Sequence, residues 1–203
     1  MARFGIDTRN AIGVPVPKIR SIAKKIGKHH SLAQELWQSG IHEARLLATM
    51  VGEPAKLSEK ELDEWASDFS SWDVCDSACG NLFDKTPFAF RKARELSKRK
   101  REFVKRAGFA LMATLAVHDK KAGDKKFEAF FVDIEREACD ERNFVKKAVN
   151  WALRQIGKRN KPLNKKAIAV AKKLLRKESK SAHWVASNAL KELESNAVQK
   201  RLR

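Results

Sequence analysis

Apolar residues recur three and four positions apart along almost the whole of this chain, and no stretch alternates convincingly with a period of two. That spacing predicts helices. Pro17 suits a first helical position, and Ile19, Ile22, Ala23 and Ile26 follow at helical spacing up to Gly27. Ser31 is placed to cap a second helix with Leu32, Leu36 and Trp37, ending near Gly40. Ile41, Ala44, Ala48 and Val51 mark a third, stopped at Gly52 and Pro54. Ser58 and Glu61 form a capping box ahead of Leu62 and Trp65. Ser70-Ser71 then leads into a helix with Val74, Cys75, Ala78, Cys79 and Leu82. Thr86-Pro87 starts another, ending near Arg99, and residues 102–117 are apolar on most sides, which predicts burial. Phe127, Phe130, Phe131 and Ile134 mark the next. Asn143 caps a long helix through Gly157, and Pro162-Leu163-Asn164 resets the chain. Ala167, Ile168, Ala171, Leu174 and Leu175 follow, and Ser181 opens the last helix.

About eleven helices on short links predict an all-α protein. In the second half they pair into units of roughly 40 residues, the period of HEAT-type arrays. The expected architecture is therefore a HEAT-like, armadillo-like α-α superhelix, with a globular helical bundle as the alternative. One domain is expected over residues 1–195, and residues 196–203 read as a frayed basic tail.

Charge sharpens this picture. The 203 residues hold 43 Lys+Arg against 25 Asp+Glu, a formal net charge of +18. Residues 1–70 carry 10 basic and 9 acidic side chains, leaving 33 and 16 for the remainder. A surface charged only for solubility needs no such asymmetry, whereas a phosphate-binding surface does. A curved array can follow a rod-like polyanion with its concave side, so a basic concave face is expected there.

The helix from Asn143 to Gly157 shows where that face lies. At 100° per residue, Val145, Ala148, Val149, Ala152 and Ile156 form one narrow apolar stripe. Lys147, Trp151, Arg154 and Lys158 fall opposite it. An indole among cations, turned away from its own core, suits a nucleic-acid contact; cover by a neighbouring repeat is the structural alternative. A second aromatic, Trp72, stands four residues before Asp76, so both leave the helix on one side. Asp73 suits the helix dipole. Asp76 lies at the margin of the stripe formed by Val74, Ala78 and Leu82 and needs either a cation, for which Arg106 is a candidate, or a reaction to serve.

Other chemistry falls away. His29, His30, His42, His118 and His183 show no metal-ligand spacing with Cys75, Cys79 and Cys139, and no phosphate-loop or dinucleotide motif occurs, so no metal or cofactor is expected. Three cysteines, two of them four apart on a helix, suit buried thiols in a reduced compartment. With no signal peptide and no apolar run of about 18 residues, a cytoplasmic protein without a membrane partner is expected.

Four stretches, Gly40-Ile41-His42-Glu43-Ala44-Arg45, Ser71-Trp72-Asp73-Val74-Cys75-Asp76, Phe103-Val104-Lys105-Arg106-Ala107 and the run from Asn143 to Arg154, together resemble the AlkD-like family of DNA alkylation repair glycosylases. The resemblance runs from about Phe4 to the last helix, and it rests on the order and separation of the segments. It implies HEAT-like repeats, duplex DNA containing alkylated bases as partner, and excision of cationic N3- or N7-alkylated purines. A concave DNA surface works as a monomer, which is the expected state. The resemblance also implies roles. Trp72, Asp76 and Trp151 would cradle the damaged nucleotide's deoxyribose, and Arg106 and Arg154 would contact the DNA. Relatives usually carry an additional helix ahead of the segment matching Phe4-Gly5-Ile6, and its loss is expected to weaken DNA binding. The chain has no tyrosine, so any Tyr contact of relatives is missing. Within this fold some relatives lack glycosylase activity, which leaves a non-catalytic module for damaged or branched DNA as the second expectation. A scaffold for an acidic protein is the third.

Overall fold

Every regular element of the computed structural model is a helix among the described residues, 5–202. Phe4 of the motif named above lies outside them, as does the final residue. The chain divides into two compact units, Met1–Ala89 and Phe90–Arg203.

The first unit holds α1 (Val16–Ile26), α2 (His30–Gln38), α3 (His42–Val51), α4 (Glu59–Ser67) and α5 (Trp72–Asn81), then a 3-10 turn at Phe83–Lys85. The Ser58–Glu61 capping box forms as expected. At α2 the helix starts one residue before Ser31, and the imidazole of His29 accepts the cap bond from the Leu32 amide. Between α2 and α4 the indoles of Trp37 and Trp65 stack with centroids 4.1 Å apart and planes 4° apart. Each indole N–H finds an acceptor: Trp37 donates to Asp68 at 3.0 Å and Trp65 to Gln34 at 3.2 Å. Burying an indole is favourable only when that N–H is satisfied, so these bonds fix the pairing of the two helices. Asn81 donates to Thr49 across α3 and α5 at 3.1 Å, 32 positions away in sequence, and the Trp37 and Trp65 bonds each span 31. A separation that stays constant along two helices means that they run parallel as equivalent parts of successive repeats.

The second unit repeats the arrangement with a longer period. It contains α6 (Ala89–Ser97), α7 (Glu102–His118), α8 (Asp124–Glu128), α9 (Phe130–Glu137), α10 (Asn143–Gly157), α11 (Lys161–Leu174), α12 (Lys180–Leu193) and α13 (Asn196–Arg201). Arg94 of α6 binds Asp133 of α9, 39 positions on. Arg106 of α7 binds the Phe144 carbonyl of α10, 38 positions on, and Asn150 of α10 binds the Val185 carbonyl of α12, 35 positions on. α6, α9 and α11 thus form one layer and α7, α10 and α12 the other, a HEAT-like repeat. From Ala107 to Ala116, α7 is buried on every side.

Local details differ from the sequence expectation. The helix expected around Phe127 to Ile134 is broken at Ala129 into α8 and α9. Arg142, held to Asp140 by its guanidinium, takes the N-cap position expected for Asn143. Ser179, not Ser181, caps α12; Ser181 is buried and donates to the Asp140 carbonyl at 2.7 Å. The expected frayed tail is helical over Asn196–Arg201, because Ser195 caps it and Val198 finds a buried site. No helix among the described residues is long and apolar enough to cross a membrane.

Candidate nucleic-acid interface

α10 carries the cationic stripe. Its inner face is fully closed: Val145, Ala148, Val149, Ala152 and Ile156 have no exposed surface. Opposite them Lys147 is exposed and Trp151 partly exposed. Arg154 and Lys158 are also partly exposed, and both bind the carboxylate of Glu192 on α12. Burial pushes the Glu192 carboxyl up, but hydrogen bonds from Lys158 and Arg154 outweigh it and hold it below the ordinary carboxylate value. One acidic side chain therefore aligns two cations a helical turn apart and neutralises one of their charges. Helical periodicity carries no sign of this pairing, because Glu192 lies 38 positions from Arg154. Beside this cluster, Lys146 stands 5.3 Å from the ring centroid of Trp184, an exposed indole of α12 that helical spacing alone did not single out.

Arg106 is less available than its sequence context suggests. It is 7% exposed, and its Nη1 donates to the Phe144 carbonyl at 2.7 Å. That bond engages the first turn of α10 and so helps to set the helix that carries Lys147 and Trp151.

In the first unit Trp72 is the first residue of α5, and Asp76 follows one turn later. Both are partly exposed, while Val74, Cys75, Ala78 and Cys79 between and after them are buried. Cys75 and Cys79 are free thiols. Burial pushes the Cys79 thiol well up, and Cys75, Asp76 and Asp84 push it further in the same direction.

Asp73, expected simply to favour the helix dipole, has a more specific task. Its Oδ2 lies 2.9 Å from Nε2 of His42 on α3, and its Oδ1 accepts from the Ser71 hydroxyl at 2.7 Å and the Val74 amide at 3.0 Å. The two atoms stand at hydrogen-bonding distance and form an ion pair when the imidazole is protonated. A cavity of about 330 Å³ opens beside it, lined among others by Asp7, Asn10, Arg45 and Asp68; Trp72 and Asp76 do not line it. The Asp73 contact raises the His42 pKa against the opposing effect of burial, with Glu43 and Asp7 adding to the rise. For Asp73, burial acts upward but His42 and Ser71 prevail, and its pKa is lowered.

These directions set a pH dependence. A raised histidine pKa stabilises the fold fully below the ordinary value of 6.5 and loses that contribution as pH rises through the folded-state value. The depressed Asp73 pKa contributes above 3.8 and is lost as pH falls through its folded-state value. His42→Asn is therefore expected to lower the urea midpoint at about pH 6 more than at about pH 8.5. Equal losses at the two pH values would exclude a charged His42.

Parallel α2 and α4 in the first unit, and two layers of helices joined repeat to repeat in the second, define a HEAT-like helical-repeat protein with a cationic face on α10. Residues 1–193 match the model of the family described as DNA alkylation repair enzyme, and the chain belongs to that family. The fold agrees with a solved structure described as a new family of proteins related to the HEAT-like repeat DNA glycosylases, with affinity for branched DNA structures. The two share 22% identity at a TM-score of 0.78, over 99% of this chain and 87% of the other. Two designed armadillo repeat proteins, one in complex with the peptide (KR)4, align at TM-scores of 0.44 and 0.42 with 15% identity, too distant to carry an argument. The first covers 94% of this chain and 82% of its own, the second 87% and 92%. None of the curated proteins compared with the chain matches it.

Proposed function

We propose that this protein is a DNA glycosylase that releases cationic N3- and N7-alkylated purines from duplex DNA. The observation that carries the proposal is the pairing of a partly exposed indole and carboxylate, Trp72 and Asp76, on one side of α5 in a DNA alkylation repair family member. An alkylated purine is already positively charged and leaves without being protonated, so the second carboxylate of an ordinary glycosidase is dispensable. The remaining task is to stabilise a deoxyribose that becomes oxocarbenium-like. Asp76 supplies a fixed negative charge and can position the attacking water, and the face of Trp72 favours the developing cation. Trp151 offers the DNA an indole face from α10. Lys147, Arg154 and Lys158 take backbone phosphates on a basic concave face, and Arg106 contacts the DNA through the 7% of its surface that stays exposed. The enzyme works as a monomer and without a cofactor. Release of free 7-methylguanine from methylated duplex DNA, measured by chromatography in single turnover, tests the proposal; binding without release at any enzyme concentration overturns it.

A second function, non-catalytic binding of branched or damaged DNA, is favoured by the affinity described for the structural neighbour. A four-way junction bound much more tightly than a methylated duplex, with no base released, would select it.

In either case Glu192 competes with phosphate for Arg154 and Lys158. Glu192→Gln keeps an acceptor in place and removes one negative charge. Duplex affinity is expected to rise about threefold to tenfold, and the slope of log K against log salt to steepen by about one. An unchanged slope would show that these two cations do not meet DNA.

A further inference from the structure

At the far end of the stripe, where α7 and α10 both terminate, the second unit holds a recess of about 580 Å³. Its lining brings together Lys120 from the loop after α7, Lys158 and Arg159 from the end of α10, and Arg201 from α13. Among the lining residues Asp124 offers these four cations a carboxylate already engaged by the Asn160 amide at 2.9 and 3.1 Å, and Asp119 acts on Arg159 from outside the lining.

Basic residues often gather at helix C-termini simply to satisfy carbonyls, and Arg159 does this. It donates to the carbonyls of Ala116 and Asp119 at 2.8 Å and of Ala122 at 3.2 Å, with its guanidinium 3.9 Å from the Phe127 ring centroid. Its Nε is nevertheless buried and donates to no acceptor among the described residues. The magnitudes decide the matter. Two helix ends contribute about half a negative charge each, Asp124 and Asp119 about one each, and Glu192 divides its charge between Lys158 and Arg154. The cations keep a surplus of about half to one charge, of the order of that carried by one backbone phosphate. Burial lowers the Arg159 pKa against the opposing effects of Asp124 and Asp119. Arg201, tethered through its Nη2 to the Lys158 carbonyl at 3.1 Å, brings its charge to the rim.

We propose that this recess binds a phosphate group, supplied either by a nucleic-acid backbone or by a free phosphate. The site is independent of Asp76 and of any base release. If the source is the backbone, it fixes the register of the strand that runs past Trp151. If the source is free, it is a separate anion site of the second unit.

Pyrophosphate is the probe, titrated calorimetrically into the full chain at constant ionic strength. Lys120 and Arg201 are exposed, and the double variant Lys120→Ala/Arg201→Ala is expected to keep the wild-type melting temperature without ligand. Wild-type protein should bind pyrophosphate, and the double variant about tenfold or more weakly. A control, Lys24→Ala/Lys25→Ala, removes the same charge from exposed positions of α1 and should bind like wild type. No binding by wild type, undiminished binding by the double variant, or an equal loss in the control overturns the proposal. Duplex DNA then identifies the source. Affinity that falls in the double variant, and in wild type when pyrophosphate is added, assigns the recess to the backbone; affinity indifferent to both assigns it to free phosphate.

Discussion

Asp76→Asn is expected to slow release of 7-methylguanine from methylated duplex DNA by about a hundredfold to a thousandfold, the usual cost of removing one preorganised charge from a transition state. Asparagine preserves the volume and a polar contact, so the apolar neighbours Val74, Cys75, Ala78 and Cys79 keep their packing. Binding of undamaged duplex should stay within about twofold of wild type, because a carboxylate repels phosphate and its loss removes no attraction. The effect must therefore appear in the single-turnover rate. A variant that releases base as fast as wild type would remove Asp76 from the mechanism. A variant that loses binding and rate together would make it a structural residue of α5.

The largest expected loss of stability lies elsewhere, at Gly108. A Cβ there would stand 2.3 Å from the Ser97 amide nitrogen, 2.7 Å from the Ser97 Cα and 2.7 Å from the Ala93 carbonyl oxygen. All three are backbone atoms of α6, so no rotamer change relieves the clash and the helices must separate. Overpacking of this kind costs about 1–3 kcal/mol and sometimes more, which exceeds the gain of about 1 kcal/mol in helix propensity when alanine replaces glycine. Gly108→Ala should lower the urea midpoint strongly. Gly157→Ala is the comparison. Its Cβ would meet the Leu193 side chain at 2.7 Å and the Ala167 Cβ at 2.9 Å, and a leucine side chain can give way. The Gly157 variant should be the more stable of the two. The reverse order would show that α6 and α7 do not approach as closely as their backbones indicate.

Gly108 also marks a boundary of what the sequence reveals. A helix apolar on most sides is legible as buried, and residues 102–117 were expected to be so. Which of its positions touches another backbone is not legible, because every face of such a helix looks alike. The same limit applies to α8 and α9, where phenylalanines at helical spacing gave no sign of the break at Ala129. It applies again to α13, whose basic residues suggested a loose tail while the single apolar Val198 anchors it.

The candidate site divides in a similar way. Trp72 and Asp76 share a side of α5 by helical geometry, and Lys147 and Trp151 stand opposite the apolar stripe of α10 for the same reason. The pairing of His42 with Asp73 and the hold of Glu192 on Arg154 and Lys158 have no trace in helical periodicity. Both join side chains on different helices.

By itself the sequence determined the helices, their inward faces, the concentration of charge in residues 71–203 and the resemblance to a repair family. The tertiary structure alone decided which helix lies beside which, and with it the partners of His42, Arg106, Arg154 and Lys158. The physical reason is range. Periodicity records whether a side chain meets water or core, a property of one helix, whereas an ion pair between repeats depends on two helices reaching the same height about 30 to 40 residues apart, and no local pattern encodes that distance.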